Sequence, residues 1–390
     1  MLICLNNTTA AVPQFKALRK VGSVVDAERS SYASIQLSDG SRVVWSDRRR
    51  HGEGNQRYYV GRRLARRPSH KRVQRKETAM AIEVLQLAPL IASGEEELHR
   101  KYHVLDWEAL QDRGKWLDAN SGAVRAVVTG GHLGISNEMM QRLPSLGLIA
   151  IAGVGYEKVD LAMARSRGIR VTNTPDILTE DVADLALGLM IAAMRDIVAA
   201  DRYVRDGRWR VANMDLATHV HSRRYGILGL GRIGMAIASR LQGFSGTVGY
   251  TSTGPKDVTY PFYPTLLDLA KASDVLFVTA AGGPQTRNLV GREVLDALGP
   301  SSYLINVARG AVVDEMALIA ALRDKRLGGA GLDVYVDEPA IPEALLAFPN
   351  VVLTPHIGSA TVSSRTEMAR LTIANLDAFF AGEPLPTPVL

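Results

Sequence analysis

One cysteine, Cys4, is all the thiol chemistry that the 390 residues offer. That excludes an internal disulfide and any cysteine-built zinc site, and it fits a reducing compartment, with the cytoplasm as the expected location. Long apolar runs are missing as well. The longest, Leu146 to Tyr156, is about a strand plus a turn and falls short of the roughly 18 residues that cross a bilayer, so a soluble chain is expected, with no membrane partner. The length leaves room for two domains, each with a core of its own.

Negative charge is scarce at one end only. Residues 1–79 carry 17 Lys+Arg against 6 Asp+Glu, whereas residues 80–390 carry 29 against 34, so the basic balance belongs to the leader. With Arg clusters at Arg48 to Arg50, Arg62, Arg63, Arg66 and Arg67 and little periodicity, residues 1–79 are expected to be largely disordered. A nucleic-acid-binding arm, an organelle transit peptide, or upstream sequence translated from an early start would each account for them; the last is preferred, because "AIEVLQLAPL" right after Met80 reads as the first strand of a domain. No nucleic-acid partner is expected, the leader being the sole candidate.

From Met80 onward, short apolar strands alternate with helical patterns. "AIEVLQLAP" (81–89), "YHVLDW" (102–107), "AVRAVVTG" (123–130), "LGLIAIAG" (146–153) and "IRVTNTP" (169–175) predict strands of a parallel sheet covered on both faces. Residues 179–207, whose only breaker is Gly188, predict one long helix. The alternation then restarts through "YGILGLG", "GTVGYTST", "DVLFVTAA", "SYLINVARG", "GAGLDVY" and "VVLTPHIG", and a helix is predicted over 361–380.

Within "YGILGLGRIGMAIASRL" (225–241), three glycines in G-x-G-x-x-G spacing lie between a predicted strand and a helix. There the motif has a mechanism. Gly229 permits a tight turn, Gly231 lets the backbone approach a pyrophosphate, Gly234 lets the helix pack on the strand, and the helix N-terminus faces the phosphates. A tight βα turn without a ligand remains the other reading of this segment alone.

Taken in order, "NTPDILTEDVADLALGLM", "GILGLGRIG", "INVARGAVVDE", "GLDVYVDEP" and "LTPHIGSAT" resemble the D-2-hydroxyacid dehydrogenase family, within it the glyoxylate/hydroxypyruvate reductase and hydroxyphenylpyruvate reductase branch. The resemblance covers about residues 80–390. It implies an α/β protein of two Rossmann-like, doubly wound parallel-sheet domains with a cleft between them: a substrate domain at 80–178, completed by 358–390, and a nicotinamide dinucleotide domain at 179–357. It also implies a homodimer formed through the 179–207 helix.

Three residues match the family's chemistry. Arg309, in "NVARG", would hold the substrate carboxylate and polarise the C2 carbonyl, since a planar guanidinium bonds both oxygens. His356, in "TPHIG", would donate the proton as hydride arrives, and Glu338, in "VDEP", would hydrogen-bond the imidazole, favouring its protonated form and fixing its orientation. Taken singly, each reads as well as a surface cation, a loop carboxylate and a turn histidine; their joint occurrence in order decides. The backbone around Arg232 and Ile233 would donate to the pyrophosphate, Asp333 would accept from the nicotinamide carboxamide, and Val307 and Gly358 would line that ring. Gly131, His132, Val154 and Gly155 are the substrate-loop candidates, with no catalytic role for His132. "GGPQTRN" (282–288) departs from the usual proline-rich loop, although Thr286 stays in place as a cofactor contact. No metal is implied.

An NAD-preferring member would place Asp or Glu about 20 residues after the glycine turn to take the ribose hydroxyls. The expected position, Tyr250 to Thr253, holds nothing acidic; Ser252 and Thr253 are suited to bond a 2'-phosphate, with Lys256 supplying charge, so NADPH is favoured and NADH remains possible. The expected reaction is reduction of a small 2-keto acid of the glyoxylate or hydroxypyruvate type to the D-hydroxy acid. Two alternatives stand beside it: a nucleotide-sensing corepressor of the same superfamily, and a reductase of bulkier aryl 2-keto acids. The second is suggested by "GRWRVANMDLATHVHS" (207–222), which keeps Trp209 but lacks the second tryptophan of the aromatic-rich version. A formate dehydrogenase would be expected to carry glutamine where Glu338 stands.

Overall fold

The computed structural model describes residues 83–390 and, before them, four strands: β1 (Leu2–Leu5), β2 (Tyr32–Gln36), β3 (Arg42–Arg48) and β4 (Arg57–Leu64). The chain divides into two compact units, Met1–Ala79 and Met80–Leu390. In the first, the four strands form an antiparallel sheet in the order β1-β4-β3-β2. Outside these four strands, the leader expected to be largely disordered lies beyond the described residues. The strand sequences, "RVVWSDR" and "RYYVGRRL" among them, are rich in β-branched and aromatic residues, a composition suited to a pleated surface that charge counting overlooks.

In the second unit two parallel sheets are built from the predicted alternation. The first, in the order β6-β5-β7-β8-β9, contains β5 (Val84–Gln86), β6 (Val104–Asp106), β7 (Ala126–Gly130), β8 (Leu148–Ala152) and β9 (Arg170–Thr172). Its helices are α1 (Ala92–Lys101), α2 (Arg113–Asn120), α3 (Asn137–Arg142) and α4 (Leu161–Ser166). The second sheet, in the order β11-β10-β12-β13-β14-β15, contains β10 (Arg224–Leu228), β11 (Thr247–Thr251), β12 (Val275–Val278), β13 (Tyr303–Asn306), β14 (Gly329–Leu332) and β15 (Val351–Leu353). Between the sheets in sequence run α5 (Thr179–Met194) and α6 (Ile197–Arg205); α7 (Arg232–Leu241), α8 (Leu266–Lys271), α9 (Arg292–Leu298), α10 (Glu315–Arg323) and α11 (Glu343–Leu346) serve the second sheet, and α12 (Val362–Ala381) closes the chain. Strands such as β7 and β12 are buried along their whole length because helices cover both faces. Apolar clusters accordingly lie on both sides of each sheet.

The long helix expected over 179–207 is two helices. α5 ends at Met194, and Asp196 takes a left-handed conformation (φ 52°) before α6 starts. Aspartate tolerates that region better than most residues, so an apolar helical pattern can run through a break that periodicity does not register. α5 lies on β13 and β14 and against α7, and α12 returns to pack on β8 and α1. The Thr361 hydroxyl caps α12 by accepting from Ser364 N–H at 3.1 Å and donates to Asp181 of α5 at 2.6 Å, tying the closing helix to the opening of the central one.

In each sheet the strand order reverses beside the first strand, between β5 and β7 and between β10 and β12. Parallel α/β sheets leave a crevice at the carboxyl ends of such a pair, and it is there that they bind ligands.

Candidate active site

β13, β14 and β15 are neighbours, so the loops at their carboxyl ends bring together side chains far apart in sequence. Arg309 follows β13, Asp333 and Glu338 follow β14, and His356 follows β15. Two buried side chains fix the backbone. Asn306 accepts from the Ala308 N–H (3.1 Å) and donates to the Arg309 carbonyl (3.1 Å). Asp333, 1 % exposed, accepts from the Thr354 hydroxyl (2.6 Å) and from the N–H groups of Ile357 (2.8 Å) and Gly358 (2.9 Å), holding the turn that carries the histidine.

His356 is in the left-handed region (φ 53°), its own N–H bonded to the Asp333 carbonyl at 2.9 Å. This directs Nδ1 to the Glu338 carboxylate at 2.6 Å. With Nδ1–H donating there, Nε2 is the nitrogen presented to the cleft. The other Glu338 oxygen accepts from the Tyr335 N–H at 2.9 Å. Burial alone would push the Glu338 carboxyl up, but the bonds from His356 and Tyr335, with the charges of His356 and Arg309, outweigh it and hold the carboxyl below its usual range. Glu338 therefore stays ionised at neutral pH, an anion held against the imidazole ring. His132, its ring 6.3 Å from that of His356, is held below the usual imidazole range, first by burial and then by the His356 charge. Its neutral form is thereby favoured.

Arg309 reaches across the cleft. Nη1 donates to the Ala308 carbonyl at 2.7 Å, and Nη2 pairs with Glu157 at 3.3 Å, from the loop after β8. Of the substrate-loop candidates, Gly155 lies directly against the guanidinium, and Gly131 packs on Gly155 so closely that a Cβ would sit 2.7 Å from its carbonyl oxygen. Among the described residues no protein acceptor takes the amide N–H of Val154 or Gly155. Beside His132 opens a cavity of about 400 Å³ whose walls include Leu87, Pro89, Leu133, Met368 and, as its cation, Arg365.

The glycine turn has the shape that a pyrophosphate needs. Gly229 has φ 96°, and a Cβ there would meet Ala280 N of the β12 end at 2.7 Å; one on Gly234 would meet the Gly229 carbonyl at 2.4 Å; one on Gly231 would meet nothing within 4 Å. The open space is thus at the one glycine whose role is to leave it, at the N-terminus of α7, where Arg232 and Ile233 begin the helix. The Arg232 guanidinium pairs with Asp176. Ser252 and Thr253 follow β11 next to this turn, since the Gly229 N–H bonds to the Thr251 carbonyl at 2.8 Å. The Ser252 hydroxyl donates to Gly254 O at 2.6 Å, and exposed Lys256 is anchored through its N–H to the Tyr250 hydroxyl at 2.7 Å. Thr286 turns inward instead, its hydroxyl donating to Ala281 O at 2.8 Å within its own loop. Val307 is buried below the same crevice.

Sequence reading missed Glu157, Tyr335 and Arg365. Glu157 lies inside a motif that was singled out, but no local spacing signals a partner 152 residues away. Tyr335 acts through its backbone N–H, which carries no sequence signature.

Replacing Glu338 by Gln removes the anion beside the imidazole. With that counter-charge gone, the pH–rate profile of the variant is expected to differ from that of the parent protein. A profile identical to that of the parent protein would show Glu338 to be structural only.

Residues 187–358 match the model of the D-isomer specific 2-hydroxyacid dehydrogenase family, NAD binding domain. The chain is 45 % identical over 311 residues to glyoxylate/hydroxypyruvate reductase A of Arabidopsis thaliana, covering 80 % of this chain and 99 % of that protein. It is 44 % identical over the same length to hydroxyphenylpyruvate reductase of Plectranthus scutellarioides, again with 80 % and 99 % covered. Among solved structures, the NADPH-dependent glyoxylate/hydroxypyruvate reductase of Sinorhizobium meliloti in complex with NADP and malonate superimposes with a TM-score of 0.73 at 39 % identity, covering 79 % of this chain and 97 % of that one.

Proposed function

Because the chain belongs to the D-isomer specific 2-hydroxyacid dehydrogenase family, we propose that it is an NADPH-preferring reductase of 2-keto acids, with Arg309, Glu338 and His356 as its catalytic set. The observation that carries this reading is the Glu338–His356 pair at 2.6 Å facing the same cleft as Arg309. Bound nicotinamide supplies the hydride. Arg309 binds the substrate carboxylate and draws electron density from the C2 carbonyl. His356, held by Glu338, donates its proton to the carbonyl oxygen, so that the hydroxyl forms without a free alkoxide. Asp333 keeps the His356 turn in place; one further acceptor site on its carboxylate suits the carboxamide role expected of it. The Val154 and Gly155 amides add donors for the substrate carboxylate.

The preference for NADPH rests on the turn beside the glycines, where Tyr250 to Thr253 hold hydroxyls and no carboxylate and Lys256 follows, with Asp257 beyond it. The Sinorhizobium meliloti reductase, solved with NADP, supports it. A second reading of the substrate, a bulkier aryl 2-keto acid, is supported by the 44 % identity to the Plectranthus relative, which is named for hydroxyphenylpyruvate. A cytoplasmic homodimer is part of the proposal: Ile197, Val198 and Val204 of α6, with Trp209, Val211 and Leu216 after it, are exposed apolar residues of the kind an interface covers. No helix among the described residues is long and apolar enough to cross a membrane.

The test is one panel. The full chain and residues 80–390 alone are assayed for oxidation of NADPH and NADH with glyoxylate, hydroxypyruvate and hydroxyphenylpyruvate. Both proteins are expected to reduce at least one acid, with the higher kcat/KM on NADPH, and the shorter one to keep the activity because every site residue lies within it. Absence of reduction with all three acids would turn the reading toward a nucleotide sensor.

A further inference from the structure

The guanidinium assigned to the substrate carboxylate already has a carboxylate beside it. Glu157 Oε2 lies 3.3 Å from Arg309 Nη2, the two side chains about a quarter and a third exposed. Both backbones are pinned. Lys158 O accepts from the Ile135 N–H at 3.3 Å and packs against Gly134, fixing the loop that carries Glu157, while Asn306 fixes Arg309. The pair sits in a slot between two glycines. A Cβ on Gly155 would fall 1.7 Å from Arg309 Nη2 and 2.5 Å from Glu157 Oε2; one on Gly282 would fall 2.8 Å from Arg309 Cγ and 3.6 Å from Glu157 Cγ. Contact this close needs side-chain-free neighbours on both sides, which marks the pair as a built feature of the cleft. The glycine turn repeats the arrangement more openly, with Asp176 from the segment after β9 on Arg232.

We propose that Glu157 is a positioning residue that stands in for the substrate carboxylate: it holds the Arg309 guanidinium in the cleft before the keto acid arrives, and the arriving carboxylate takes its place. The inference rests on the reading of Arg309 as the carboxylate clamp. Its physical content is competition. Only one of the two Nη groups is free of an anion, and a bidentate substrate carboxylate needs the position that Glu157 occupies. A second carboxylate left within a few ångströms also lowers the affinity for any anion bound there, because like charges repel across a site only partly screened by water. The cleft thereby trades substrate affinity for an arginine already in position, and it discriminates against anions too weakly bound to displace Glu157.

The test uses Glu157→Gln, which keeps the shape and removes the charge, and oxamate, a non-reducible analogue of a 2-keto acid, titrated calorimetrically into the full-length protein with NADPH present. Oxamate is expected to bind about fivefold more tightly to the variant, the scale of a partly exposed ion pair. In steady state, KM for the keto acid falls by a similar factor while kcat changes less than KM does. In an Arg309→Ala background the same substitution leaves oxamate binding unchanged, because the competitor has lost its object. Oxamate binding that is equal or weaker in Glu157→Gln, or a gain that survives loss of Arg309, overturns the assignment. Tighter oxamate binding without reduction of any keto acid keeps the assignment and overturns the reductase reading instead.

Discussion

Replacing His356 by Asn is expected to lower kcat for 2-keto acid reduction by at least about a hundredfold, the usual contribution of a positioned general acid. Asparagine is the informative choice. His356 sits at φ 53°, a conformation that asparagine adopts readily and β-branched or bulky residues do not, so the turn held by Asp333 is kept while the proton donor is lost. The melting temperature is expected to stay within a few degrees, because the ring is about a third exposed and its one strong partner, Glu338, keeps the Tyr335 N–H. Oxamate binding should also persist, since Arg309 is untouched. A rate near that of the parent protein would remove His356 from the mechanism and leave the Glu338 pair as a structural contact.

Where function could be read from the sequence, it was because chemistry and local spacing coincide. "GLGRIG" is legible since each glycine answers a local steric need: Gly229 a positive φ, Gly234 contact with the Gly229 carbonyl, Gly231 open space. Central strands such as β7 and β12 are legible since burial on both faces makes each a short apolar run. The break at Asp196 is not, because a left-handed residue need not interrupt an apolar pattern. Contacts set by strand order are hidden for a different reason. Arg309, Glu338 and His356 meet because β13, β14 and β15 are adjacent, and only the family resemblance put them together in advance. Glu157 meets Arg309 only because the loop after β8 in one sheet faces the loop after β13 in the other, a juxtaposition that no segment of sequence encodes.

Gly155→Ala is expected to cost nearly as much activity as Arg309→Ala, which itself should lower kcat/KM by at least about a hundredfold through loss of the carboxylate clamp. Gly155 is not at positive φ, so alanine meets no backbone strain there. The penalty is steric and falls on one neighbour: the new methyl would lie 1.7 Å from Arg309 Nη2, with Glu157 Oε2 the next atom at 2.5 Å. Both are ends of flexible side chains, and the guanidinium can leave by rotating where a backbone atom could not. The fold is therefore kept, and the arginine is driven from the position in which it meets a substrate carboxylate. Gly131→Ala supplies the contrast. Its methyl would press on the Gly155 carbonyl at 2.7 Å, a backbone atom, and so should lower the melting temperature as well as the rate. Assay and thermal melt on the same samples separate the two: loss of rate with an unchanged melt for Gly155→Ala is the expected result, and a rate near normal would mean that the substrate carboxylate is held elsewhere than at Arg309.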